Sequence, residues 1–256
     1  MMRIIAGPCQ HESLEHSLKI AQHCLEVCQD IGGFEYYFKA SFDKANRSSA
    51  HGERGQGLAR TMQDFMAMKH HIPGLRILTD VHEREQVYDI TQHWPGAVDV
   101  LQIPAFLCRQ TDLIRAACES GKIVNIKKGQ FLAPWDVRGI LTKTSGQVWI
   151  TERGTSFGYN TLVVDFTGLE WMLRNLHVPV ILDATHAVQK PGGNGMSSGG
   201  NRDHVPGLTR AAAALGVRHF FLEVHDDPDR APSDGANMLR LDDFAAVLKG
   251  IQAHAQ

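Results

Sequence analysis

Two sets of side chains in this sequence could do chemistry together. The first is cationic: Lys39, Lys44, Arg47, Lys127 and Arg153. Several cations converging in a near-neutral chain point to a small, strongly anionic ligand, with phosphate the best match. The competing reading is ion pairing with Asp43, Asp80 and Glu152. The second set is Cys9, His186, Glu223 and Asp234. One thiol, one imidazole and two carboxylates suit a divalent ion such as Zn²⁺, Fe²⁺, Mn²⁺ or Co²⁺. Their spacing is no motif, so only a fold could bring them together, and Cys9 reads equally as a small buried strand residue.

The elements that must position these groups alternate along the chain. Runs rich in Val, Ile, Phe and Tyr predict strands at 3–8, 34–40, 76–81, 98–103, 123–127, 147–151, 179–183 and 219–224. Helical periodicity predicts helices at 13–31, 57–70, 83–93, 110–120, 134–144, 161–176, 204–215 and 241–254. Eight βα units in 256 residues imply one (β/α)8 barrel, a TIM barrel, formed by the whole chain 1–256 as a single catalytic domain. A doubly wound open sheet is the alternative. In a barrel, chemistry belongs at the C-terminal strand ends, and here each end carries polar residues. They include Cys9, Lys39, Asp80 and His82, Gln102, Lys127 and Lys128, Glu152 and Arg153, Asp183 and His186, and Glu223 and His225. The Gly-rich stretch 191–200 reads as a functional loop after strand seven.

Composition excludes several classes. Lys plus Arg number 26 against 28 Asp plus Glu, a net charge of −2, which gives no global reason to bind nucleic acid or an anionic membrane. No apolar run reaches the roughly 20 residues of a membrane span. Glu12 and Glu15 arrive too early for a signal peptide, and five sparse cysteines do not suggest a disulfide scaffold. A cytoplasmic protein is therefore expected. Cys24 and Cys28, four apart on a helix, read as packing residues. Gly192–Gly195 belongs to no nucleotide-binding fingerprint.

Against this background the sequence resembles the 3-deoxy-D-manno-octulosonate 8-phosphate synthases. The resemblance rests on AGPC at 6–9, KASFDKANRSS at 39–49, TDVHE at 79–83 and QIPAFLCRQTDL at 102–113. It continues through NIKKGQFLAPWD at 125–136, ERGTSFGYNTLVVD at 152–165, DATHAVQKPGG at 183–193 and the segment from Glu223 to Asp234, covering nearly the whole chain in order. KANRS separates it from the sister 3-deoxy-D-arabino-heptulosonate 7-phosphate synthases, which typically carry KPRTS there.

The resemblance implies a homotetrameric barrel that condenses phosphoenolpyruvate with D-arabinose 5-phosphate and water, in lipopolysaccharide core biosynthesis. Cys9, in place of the Asn of metal-independent members, implies the metal-dependent class, with Cys9, His186, Glu223 and Asp234 as ligands of one divalent ion. It also implies that Lys39, Lys44, Lys127, Arg153 and the N–H of Ala105 hold phosphoenolpyruvate. Asn46, Arg47 and Ser48 would bind arabinose 5-phosphate, with Arg47 and Ser48 on its phosphate near a subunit interface. Asp80 would touch the sugar hydroxyls, and loop 191–200 would close over the site. The expected catalytic group is Lys39, Lys44, Asn46, Asp80, Lys127 and His186. Some residues depart from the pattern. Gln10-His11 replaces two aliphatic residues, and His11 is expected to be a surface substitution. His225-Asp226-Asp227-Pro228 is unusually acidic, and loop 194–204 differs. The rival readings are the heptulosonate synthase, a Schiff-base aldolase using Lys127, and a non-catalytic sugar-phosphate-binding protein.

Overall fold

The structure is a computed structural model that describes residues 1–45, 54–193 and 198–255. Eight parallel strands form its centre: β1 (Met2–Gly7), β2 (Phe34–Lys39), β3 (Ile77–Asp80), β4 (Val100–Ile103), β5 (Ile123–Lys127), β6 (Val148–Glu152), β7 (Val180–Asp183) and β8 (His219–His225). Each pairs with the next in chain order, and β1 pairs with β8, Gly7 opposite Glu223. That last pairing closes the sheet into the expected (β/α)8 barrel and disposes of the open-sheet alternative.

The helices α1 (Leu14–Ile31), α2 (Leu58–His71), α3 (Arg84–His93), α4 (Thr111–Glu119), α5 (Val137–Leu141), α6 (Phe166–Asn175), α7 (Val205–Leu215) and α8 (Phe244–His254) follow the strands in turn. The Ser13 hydroxyl accepts from His16 N at 3.2 Å and caps α1. At its other end Gly32, at φ 75°, stops it. Two predicted helices are shorter than expected. The one at 134–144 is a 3₁₀ turn at Pro134–Asp136 followed by only five α-helical residues. The one at 161–176 begins at Phe166, because Thr155–Ser156 and Leu162–Val163 pair as a small hairpin and Asp165 caps the helix.

Period-two alternation builds two cores. Outward-facing strand residues such as Ile4, Phe38, Ile150 and Leu222 pack under the helices. Inside the barrel, Ile5, Tyr37, Leu78, Val100, Trp149, Ile181 and Phe221 form a separate buried layer, with Ile123 packed against it. Two residues further along each strand, the inward positions become Gly7, Lys39, Asp80, Gln102, Asn125, Thr151, Asp183 and Glu223. The barrel thus changes from apolar to polar within one pleat, and the polar layer lies toward its C-terminal face. Among the described residues no helix is long and apolar enough to cross a membrane.

Candidate active site

Cys9 follows β1 through Pro8, fully buried and in left-handed backbone at φ 58°. Its carbonyl accepts from Lys39 Nζ at 2.9 Å and from Ser41 N at 2.9 Å. Its sulfur lies 3.5 Å from Asp234 Oδ2, across 225 positions of sequence. Asp234 is also left-handed, at φ 55°. Donor atoms of Cys9, Glu223 and Asp234 all lie within 4.8 Å of one another. Burial and then the neighbouring Glu223 push the Cys9 thiol well above its ordinary value. Burial alone would raise Asp234, but His186 and Lys44 hold it down to about 2.

His186 sits on the short helix Ala184–Ala187 at the end of β7. Its Nδ1 lies 2.6 Å from Asp183 Oδ2. A carboxylate can only accept, so Nδ1 carries a proton, and Nε2 is the nitrogen turned toward the cluster. Nε2 lies 3.6 Å from Glu223 Oε2, beside the three-residue cluster. Glu223 Oε2 is buried and has no hydrogen-bond partner among the described residues. An orphaned carboxylate oxygen facing an imidazole nitrogen, with a thiol and a second carboxylate adjacent, fits a divalent cation by donor chemistry. The four residues expected as ligands could hold one.

The cations occupy the same end of the barrel. Lys39 Nζ pairs with Glu223 Oε1 at 3.0 Å, and Lys127 Nζ pairs with Asp183. Both ammonium groups lie over the Phe221 ring, Lys127 at 3.4 Å and Lys39 at 5.6 Å from its centroid. Burial lowers Lys127 to about 8 despite the attraction of Asp183. Burial works the same way on Lys39, but Glu223, Cys9 and Asp80 outweigh it and raise its pKa. Lys44 Nζ donates to Ser41 Oγ at 2.9 Å, and its charge helps hold Asp80, Glu223 and Asp234 ionised. Asp80 is buried beside His82, whose Nε2 lies 3.3 Å away. Arg153 is buried, and its Nη1 has no partner among the described residues. Ala105 opens a 3₁₀ turn after β4 and is half-buried.

Some expectations change. Ion pairing does occur, but mostly not with the partners expected: Asp43 binds Arg54 and Glu152 binds Lys128, while Lys39 and Lys127 bind carboxylates of the site itself. His11 is not a surface substitution. It is fully buried, with Nδ1 2.9 Å from Ser17 Oγ and Nε2 2.9 Å from Asp64 Oδ2. Asn46, Arg47 and Ser48 lie outside the described residues, as does 194–197 within the loop. Two site residues had no role assigned from sequence, although Asp183 was named as a strand-end residue. Asp183 accepts from Lys127 and His186, and its signal was a strand-end Asp capping a helical turn that carries His186. Gln189 touches both Arg153 and Asp234, which no local pattern reveals.

The chain as a whole matches known proteins. Residues 1–256 match the family model described as the DAHP synthetase I family. Among relatives, a 2-dehydro-3-deoxyphosphooctonate aldolase of Nitrobacter hamburgensis is 53% identical, over 98% of this chain and 87% of its own length. The proteins of the same name from Bradyrhizobium diazoefficiens and a strain of Rhodopseudomonas palustris are 52% and 54% identical, over 98% and 97% of this chain and 88% and 86% of theirs. A closed barrel with its polar layer at the C-terminal face, matched along its whole length, places the chain in the DAHP synthetase I family.

Proposed function

We propose that this chain condenses phosphoenolpyruvate with D-arabinose 5-phosphate and water, giving 3-deoxy-D-manno-octulosonate 8-phosphate and phosphate. The observation that carries the reading is the buried cationic floor of Lys39, Lys127 and Arg153 in contact with the residues around Cys9, Glu223 and Asp234. The relatives' name, 2-dehydro-3-deoxyphosphooctonate aldolase, supports the octulosonate product. Ala45-Asn46, where the heptulosonate synthases carry Pro-Arg, disfavours erythrose 4-phosphate as acceptor.

The chemistry follows from the groups present. Carbon three of phosphoenolpyruvate attacks the aldehyde carbon of the sugar. Positive charge develops at carbon two, water adds there, and the C–O bond to phosphate breaks. Lys39, Lys44, Lys127 and Arg153, with the N–H of Ala105, hold the phosphoenolpyruvate anion. Asp80 orients the sugar hydroxyls, and Asn46, Arg47 and Ser48 hold the acceptor and its phosphate. Cys9, His186, Glu223 and Asp234 hold one divalent ion per subunit, which supplies Lewis acidity when bound. Asp183 fixes the His186 ring with Nε2 turned toward Glu223 and keeps the Lys127 ammonium in place.

The enzyme works in the cytoplasm, in lipopolysaccharide core biosynthesis, as a homotetramer with active sites near subunit interfaces. Exposed Phe106, Phe131, Trp135 and Phe157 on three successive βα loops support association through that face. A Schiff-base aldolase is the second reading, favoured by the lowered pKa of Lys127. The deciding experiment follows phosphate release from phosphoenolpyruvate with arabinose 5-phosphate or erythrose 4-phosphate. Release with the five-carbon sugar only is expected. Release with the four-carbon sugar only would make it a heptulosonate synthase, and binding without release a non-catalytic protein.

A further inference from the structure

Gln189 lies on Gln189–Lys190, which pairs antiparallel with Gly199–Gly200 at the base of the loop after β7. Its Oε1 accepts from Arg153 Nη2 at 2.8 Å, and its Nε2 donates to Asp234 Oδ1 at 2.7 Å. Chemistry fixes the orientation of this amide. A guanidinium can only donate and a carboxylate can only accept, so a flipped amide would lose both bonds. Each end meets a group of the proposed site. Beyond Arg153 Nη2, the guanidinium has a buried Nη1 with no partner among the described residues. Beyond Asp234 Oδ1, the other oxygen accepts from Ser233 Oγ at 2.8 Å and lies 3.5 Å from the Cys9 sulfur.

The scaffold around Gln189 is knit to the same turn. Asn237 N donates to Asp234 O at 2.9 Å, and Arg202 N donates to Ala236 O at 3.2 Å. A side chain at Gly200, opposite Gln189, would collide with the Asn237 amide, so the hairpin lies flush on the segment that carries Asp234. Asp234 is held in left-handed backbone, and its carboxylate is gripped on both oxygens. One side-chain amide thus links the Arg153 guanidinium directly to that carboxylate.

We propose that Gln189 is a positioning residue that couples anion binding at Arg153 to metal affinity at Asp234. This rests on the functional reading above, in which Arg153 holds phosphoenolpyruvate and Asp234 is a metal ligand. By linkage the coupling is reciprocal: phosphoenolpyruvate changes metal affinity by the same factor as metal changes phosphoenolpyruvate affinity. Gln189 also holds Oδ1 of Asp234, leaving Oδ2 to face Cys9, as hydrogen bonds behind a ligand commonly do.

The test uses the full chain, stripped with a chelator and titrated with Co²⁺, with and without phosphoenolpyruvate. Binding is read from the near-ultraviolet thiolate-to-cobalt absorption of Cys9, and thermal melting checks the fold. In the wild type, phosphoenolpyruvate should shift the Co²⁺ dissociation constant by about fivefold or more. Gln189→Met keeps length and loses both bonds. It should weaken Co²⁺ binding by about 10- to 100-fold and bring the shift close to one. Gln189→Glu keeps an acceptor for Arg153 but loses the donor to Asp234, and it too should abolish the shift. A wild-type shift near one, or the wild-type shift retained in both variants, overturns the coupling. Absence of the thiolate band in the wild type overturns the metal reading and the coupling with it. Condensation with arabinose 5-phosphate, assayed on the same preparation, reports separately on the reaction.

Discussion

The Cys9 sulfur lies 3.5 Å from Asp234 Oδ2, and both residues hold left-handed backbone, at φ 58° and 55°. Neither is glycine; at Cys9 the conformation costs about 1–2 kcal/mol that the surrounding structure must offset, and at Asp234 less, because Asp enters this region more readily. The two residues, 225 positions apart in sequence, meet across the barrel's closure.

Asp234→Asn separates backbone from charge, because Asn tolerates left-handed backbone well. The variant should weaken divalent-metal binding by about tenfold or more, and when stripped of metal it should melt less far below wild type than Asp234→Ala does. Asp234→Ala should lose metal binding and also melt lower. Equilibrium dialysis with Co²⁺ and thermal melts would check both. Equal metal affinity in Asp234→Asn and wild type would remove Asp234 from the ligand set.

Gly7→Ala should displace Lys39. A Cβ at Gly7 would collide with the Lys39 carbonyl on the neighbouring strand, and backbone cannot step aside as a side chain can. The expected cost is about 1–3 kcal/mol, with activity falling further than stability, because Lys39 Nζ bridges Cys9 O and Glu223. Urea unfolding paired with a phosphate-release assay would separate the two effects.

His219, at the opposite end of the barrel from the site, gives a pH dependence. Burial and then Arg3 lower its imidazole from 6.5 to about 4. The unfolded chain takes up this proton first. The contribution is therefore whole above about pH 6.5 and is lost as the pH falls toward 4. Wild type should lose more stability between about pH 7 and pH 5 than His219→Gln does, as read from urea midpoints. Equal losses would assign the acid sensitivity to other groups.

Lys127 tests the rival chemistry. Its pKa near 8 suits a Schiff base, but Asp183 holds its ammonium. Borohydride with phosphoenolpyruvate and arabinose 5-phosphate should leave the protein mass unchanged. A stable adduct on Lys127 would establish the aldolase reading instead.

Much of the fold was legible because each strand carries its own period-two signal. Tyr37 then Lys39, Leu78 then Asp80, and Phe221 then Glu223 each show the change from apolar to polar two residues on. The hairpin 155–163 was not legible, because helical spacing around Leu162 matched the pattern that Phe166 begins. The candidate ligand set was legible by residue type but not by spacing. Cys9 and Asp234 share no local spacing, and only the β1–β8 closure and the turn after β8 bring them together. His11 was misread because its partners, Ser17 and Asp64, lie on two different helices. Gln189 was invisible because a neutral amide carries no signal until its two partners are known.

The most direct test strips the protein with a chelator, verifies metal removal, and follows phosphate release from phosphoenolpyruvate with arabinose 5-phosphate. Mn²⁺, Co²⁺ or Zn²⁺ is then added back. The site around Cys9, His186, Glu223 and Asp234 predicts that release is lost on stripping and restored by at least one of these ions, with the five-carbon sugar only. Undiminished release from verified metal-free protein would contradict it.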